Sequence, residues 1–181
     1  MKALFFFVLF FGLMYNSKAQ VTKVSLQASG LTCSMCSKAV MKALDDVSFV
    51  DKVDVDIKSQ KYNLSFKEKA TVDFDVLKKA VEDAGFSVAS FLVTVNVDSI
   101  KLEKDSHLLI GNQYLHFLNA KNQQLSGNVV FIIVDKKFVS DKQFKKYSAT
   151  SKMECVQTGR AGKCCAADNV SAQQRVYHAI I

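Results

Sequence analysis

The five cysteines are the residues of this chain best suited to chemistry. Two of them, Cys33 and Cys36, stand three apart in Gly30-Leu31-Thr32-Cys33-Ser34-Met35-Cys36, and apolar residues at helical spacing (Val40, Ala43, Leu44) follow Cys36. A Cys-x-x-Cys pair entering a helix brings both sulfurs to one side of a loop. The free N–H groups and positive partial charge of a helix start favour their thiolates. Two thiolates suit soft ions such as Cu(I) or Hg(II), with Zn(II) a candidate only if further ligands join. A structural zinc site closes with four ligands, and residues 21–97 contain no other Cys and no His. The pair is therefore an open site. Met35 reads as a solvent-facing loop residue rather than a ligand, and Thr32 as a hydroxyl that orders the loop.

Two other chemistries compete for the pair. A thioredoxin-like redox pair sits beside a cis-proline, and this sequence contains no proline at all. A structural disulfide across two intervening residues would remove little entropy from the unfolded chain. Oxidation in an oxidising compartment would nevertheless switch off metal binding until the pair is reduced.

The remaining cysteines, Cys155, Cys164 and Cys165, lie in a polar stretch with Gly159 and Gly162. Two readings stay open for them. Cys155 pairs with one of its two partners in a disulfide, or the three thiols form a second soft-metal site, joined by Met153 or His178. Their spacing matches no zinc ribbon or knuckle. His107 and His116 have no cysteine or carboxylate constellation beside them in sequence, and His116 reads as an ordinary strand residue.

The elements that must position Cys33 and Cys36 follow from apolar period. Val24, Leu26 and Ala28 alternate as a strand; Val53, Val55 and Ile57 give another, and Tyr62, Leu64 and Phe66 a third. Asp73 caps a second helix with Phe74, Leu77, Val81 and Ala84 on one face, and Gly85 stops it. Strand period returns after Phe86 and continues through Val93, Val95 and Val97. The order is βαββαβ, the α+β ferredoxin-like plan with two helices on one face of an antiparallel sheet.

In this context the sequence resembles the heavy-metal-associated domain family of copper chaperones, copper-ATPase amino-terminal modules and the periplasmic mercury-binding protein. The matching residues are Gly30, Thr32, Cys33 and Cys36, with Ala84-Gly85-Phe86 after the second helix. The resemblance implies that Cys33 and Cys36 are the metal ligands and that Phe86 packs beneath the metal loop. Leu31 departs from the family's usual methionine, and an apolar residue of similar volume fills that role.

Residues 1–19 read as a secretory signal peptide: Lys2, an apolar stretch over residues 3–15, then small residues before a cut at Gln20. Thirteen apolar residues are too few to cross a bilayer. The expected organisation is a leader at 1–19, a metal-binding domain at 20–97 and a small β-rich domain at 98–181, a barrel (OB-like by its strand pattern) or a sandwich. In the last segment, residues 108–110, 114–118, 129–134 and 175–181 read as strands, and Ser140 to Gln143 as a capping box. Residues 20–97 balance ten basic against ten acidic residues, whereas 98–181 carry twelve against seven. The densest cluster is Lys136, Lys137, Lys142, Lys145 and Lys146, read as a solvated face. No aromatic residues interleave with it as a nucleic-acid platform would need, so no nucleic acid is expected as a partner.

The expected protein is periplasmic or secreted and does not span a membrane once its leader is cut. It captures Cu(I), or alternatively Hg(II), one ion per domain, and passes it by thiolate exchange to a membrane metal transporter or another cysteine-bearing protein. The rivals are a thiol–disulfide oxidoreductase and an envelope metal-sensing or interaction protein. No flavin or nucleotide fingerprint and no catalytic triad can be placed, so no enzymatic activity is expected.

Overall fold

Apolar alternation in the first segment becomes strands where expected. The computed structural model describes residues 19–181, and the expected leader, apart from Ala19, lies outside the described residues. In order come β1 (Gln20–Ser29), α1 (Ser34–Asp45), β2 (Val50–Asp56), β3 (Lys61–Phe66), α2 (Phe74–Asp83) and β4 (Ser87–Leu102). The Asp73 carboxylate caps α2 by accepting from the amides of Asp75 and Val76. Gly85, at φ +88, supplies the left-handed residue after it. Then follow β5 (His107–Ile110), β6 (Gln113–Phe117), β7 (Gln123–Ile133), α3 (Asp141–Ser148), α4 (Cys155–Thr158), a 3-10 turn (Lys163–Asp168) and β8 (Val176–Ile180). The capping box at Ser140 forms, with Ser140 and Gln143 bonding each other's backbone. Of the lysine cluster, Lys145 and Lys146 occupy the last turn of α3, where they suit the helix dipole. Among the described residues, no helix is long and apolar enough to cross a membrane.

Among the described residues eight strands form one sheet, in the order β2-β3-β1-β4-β7-β8-β6-β5. Within this sheet of described strands, β6–β8 is the one parallel pair. The boundary expected after residue 97 falls inside β4, which runs on to Leu102 and pairs with β7 from Leu92↔Ile132 to Leu102↔Gln123. The late segment is rich in strands as expected, but its sheet is not closed into a barrel. The later strands extend the first sheet through the free edge of β4 instead of closing on themselves, so the sheet stays open, with β2 and β5 at its edges.

Alternation along β6 and β8 sends side chains to two cores on opposite faces. Leu115, Phe117, Tyr177 and Ala179 join the core under α1 and α2, while Leu118, Val176 and Ile180 join a smaller one with Val134, Cys155, Val156 and Cys165. The larger core ties the early and late parts of the chain together through aromatic rings. Phe74 of α2 lies 5.5 Å from Phe91 and 5.0 Å from Tyr177, and Phe91 lies 5.1 Å from Phe138.

A polar network makes the same connection. Asp75 in the first turn of α2 accepts from Arg175 Nε and from Lys78 Nζ at 2.8 Å each, and from the Tyr177 hydroxyl at 3.0 Å. Arg175 also donates to the buried Asp135 at 2.8 Å. Burial alone would raise the Asp75 carboxyl, but the bonds from Arg175 and then Lys78 outweigh it and hold the group down at about 2. An unfolded Asp titrates near ~3.9. The network therefore contributes stability in full above about pH 4, and this is lost as pH falls towards about 2. Urea midpoints measured across that window should drop more steeply for the native chain than for Asp75→Asn. Parallel curves would show that the network adds no acid-sensitive stability.

Candidate metal centre

The Cys33–Cys36 loop is built from the end of β1 and the start of α1. Gly30 adopts φ +86, and a Cβ placed there would sit 3.9 Å from the Phe86 ring, so Phe86 packs against this loop. Leu31 packs against the main core. Two contacts from β3 and its preceding turn fix the loop further. Gln60 Nε2 donates to the Leu31 carbonyl at 3.3 Å, and the buried Tyr62 hydroxyl lies 3.3 Å from both the carbonyl and the hydroxyl of Ser37. Alternation marks Tyr62 as a strand residue but gives no sign that its hydroxyl reaches α1.

Cys33 is the N-cap of α1, and its Sγ accepts from the Cys36 amide at 3.3 Å. The two Sγ atoms are 2.6 Å apart, and both residues are free thiols, Cys33 exposed and Cys36 half-buried. The neighbouring Cys33 thiol, then the Thr32 backbone, hold the Cys36 thiol below its ordinary range. No acidic residue occupies the first turn of α1, so its positive end faces the sulfurs uncompensated. Met35 is 68% exposed. The arrangement offers two adjacent sulfurs at the surface, able to take a thiophilic ion and to admit a third thiolate.

The later cysteines meet on the other face of the sheet. Cys155 opens α4, and Cys164 and Cys165 lie in the 3-10 turn. All three are free thiols, with donor sulfurs within 4.8 Å of one another and Cys164 Sγ 3.5 Å from Cys165 Sγ. The fold also brings them His107 and His116, which the sequence leaves isolated. These two face each other across the β5–β6 hairpin with stacked rings 4.4 Å apart. Cys155 Sγ lies 3.6 Å from His116 Nδ1 and 3.9 Å from His107 Nε2.

Each of these imidazoles has a carboxylate on its other nitrogen. His107 Nδ1 is 2.6 Å from Asp168, and His116 Nε2 is 3.3 Å from Asp105. Burial, followed by the neighbouring His178 and His107, lowers His116 to about 4, so its ring is neutral at pH 7. Burial pushes the Cys155 thiol well above its ordinary value, and Cys165 and Cys164 add to this. His178 is the register partner of His116 on β8, its ring 5.2 Å away. It is held by Asp135 at 2.6 Å, and its Nε2 is buried without a hydrogen-bond partner. Met153 packs against the smaller core.

Comparison with known proteins matches residues 25–87 to the heavy-metal-associated domain. The mercuric transport protein periplasmic component of Pseudomonas fluorescens is 38% identical over 68 residues, covering 38% of this chain and 74% of that protein. A probable copper-exporting P-type ATPase of Archaeoglobus fulgidus is 28% identical over 82 residues, covering 45% of this chain. The chain spans only 10% of that ATPase's length. The crystal structure of oxidized MerP from Ralstonia metallidurans CH34 aligns at 35% identity over 38% of this chain and 94% of its own, with a TM-score of 0.35. Through residues 25–87, with Cys33 and Cys36 at the start of α1, this chain belongs to the heavy-metal-associated domain family.

Proposed function

We propose that the protein is an exported carrier of soft metal ions that binds Cu(I) between Cys33 and Cys36 and releases it by thiolate exchange. The observation that carries this reading is the pair of adjacent sulfurs, Cys33 exposed and Cys36 half-buried, at the positive end of α1, where no acidic residue offsets the helix dipole. Two-coordinate binding leaves an open side, so an incoming thiolate from a membrane transporter or another cysteine protein displaces one sulfur at a time. The apolar stretch at residues 3–15 supports export to the periplasm or beyond. The same donors suit Hg(II). The extent of the match to the mercuric periplasmic component favours that ion as the second reading.

Mixing copper-loaded protein anaerobically with a dithiol acceptor tests the exchange. Transfer by ligand exchange speeds up in proportion to acceptor concentration. A rate independent of acceptor would mean that the ion must first dissociate, which contradicts the carrier role. Competition between Cu(I) and Hg(II) for the reduced chain separates the two ions.

The same reading predicts that the chain reduces insulin no faster than a small dithiol does. A Cys33-dependent turnover matching a thiol oxidoreductase would replace the carrier by an enzyme.

A further inference from the structure

Cys155 belongs to two sets of three donors at once, one with His107 and His116, the other with Cys164 and Cys165. A tetrahedral zinc ion, with bonds of about 2.3 Å to sulfur and about 2.0 Å to nitrogen, holds a sulfur and a nitrogen about 3.5 Å apart and its donors overall about 3.3–3.8 Å apart. The separations of 3.6 and 3.9 Å from Cys155 Sγ to the two imidazole nitrogens already have nearly this spacing. Cys155 lies with Leu118, Val134 and Val176 in the smaller core, and His107 and His116 are buried, where polar groups without strong partners are costly. A neutral thiol is a weak partner for two ring nitrogens. The far nitrogens, by contrast, are well held by Asp168 and Asp105, the carboxylate–histidine arrangement that orients metal ligands. Asp168 also accepts from the His107 amide at 3.2 Å, and so fastens the cysteine-bearing turn to β5. A surface depression lined by Lys104, Asp105, Met153, Glu154 and Cys164 reaches the cluster from solvent.

We propose that His107, His116, Cys155 and one thiolate of the Cys164–Cys165 pair form a second metal site, which holds a resident four-coordinate ion of the zinc class. Two nitrogens and two sulfurs in a tetrahedron select such an ion over the two-coordinate soft ions expected at Cys33 and Cys36. With four protein ligands the site is closed. Its role is to pin α4 and the 3-10 turn to β5 and β6, whereas the first site exchanges its cargo.

The test uses the full chain carrying Cys33→Ser and Cys36→Ser, fully reduced and titrated anaerobically with Co(II). The expected result is a single equivalent bound, with a sulfur-to-cobalt charge-transfer band and the intense visible bands of tetrahedral cobalt, both removed by added Zn(II). In that background His107→Gln and Cys155→Ala each lower Co(II) affinity by about 100-fold or more, and Asp168→Asn lowers it by about 10-fold while keeping the tetrahedral bands. Because Cys155 is a core residue, His107→Gln and Asp168→Asn decide the matter if Cys155→Ala fails to fold. A natively folded chain with no thiolate band, or with an octahedral spectrum, overturns the site. So does full affinity in His107→Gln, which would leave a site made of cysteines alone. The Cu(I) carrier reading can fail without altering this readout, since its two thiols are absent from the chain tested.

Discussion

Replacing either Cys33 or Cys36 with serine is expected to weaken Cu(I) binding by about three orders of magnitude or more, equivalent to about 4 kcal/mol. A hydroxyl is a hard, protonated donor that a soft monovalent ion does not accept in place of a thiolate. The fold should not change. Cys33 is exposed and Cys36 half-buried, and serine at the N-cap is among the favoured residues, so Cys33→Ser keeps the cap on α1. Stability should stay within about 0.5 kcal/mol, a shift of about 2 °C or less in Tm for a chain of this size. Competition against a Cu(I) chelator reads the affinity, and thermal unfolding reads the fold. Unchanged affinity in the double variant would move the main copper site to Cys155, Cys164 and Cys165.

Phe91→Ala should produce the largest loss of stability. Phe91 is fully buried at the meeting of three parts of the chain, with Phe74 of α2 on one side and Phe138 from the loop after β7 on the other. Emptying that space costs about 3–5 kcal/mol, or about 10 °C or more in Tm. Because the early and late segments share this core and one sheet, the loss should appear as a single transition. Hydrogen exchange of amides in β1 and in β8 should accelerate together. Two separate transitions, with only the one for residues 20–97 displaced, would show that the late strands are stable without the first segment's core.

The legible features are those whose signal is local. Asp73, Gly85 and the Ser140–Gln143 box lie at the helix ends their chemistry marks, and apolar period alone yields the βαββαβ order around Cys33 and Cys36. What escaped is set by distant pairing. The parallel β6–β8 pair joins residues about sixty positions apart, and it alone puts His116 beside His178. His107 and Cys155 are 48 residues apart and Asp75 and Arg175 are 100 apart, so neither contact leaves a spacing that can be read along the chain. The extent of β4 past residue 97 is equally hard to read along the chain. The apolar alternation breaks at Asp98 and Ser99, but the ladder with β7 resumes after a register shift at Ile100 and runs on to the buried Leu102.

That shared ladder carries a hazard for anyone who isolates the metal-binding unit by cutting after residue 97. From Gly85 to Val97 the sequence has no charged residue and is dense in valine and phenylalanine. In the full chain β1 pairs with β4 from Ser87 to Asn96, and β7 covers its other side from Leu92 onward. Cut free, β4 would become a bare sheet edge of high β-propensity, with neither the lysine nor the proline that often guards such an edge. Strand-to-strand aggregation would then follow from the truncation itself, whether or not metal is bound. The late strands thus act as a built-in shield for the early ones.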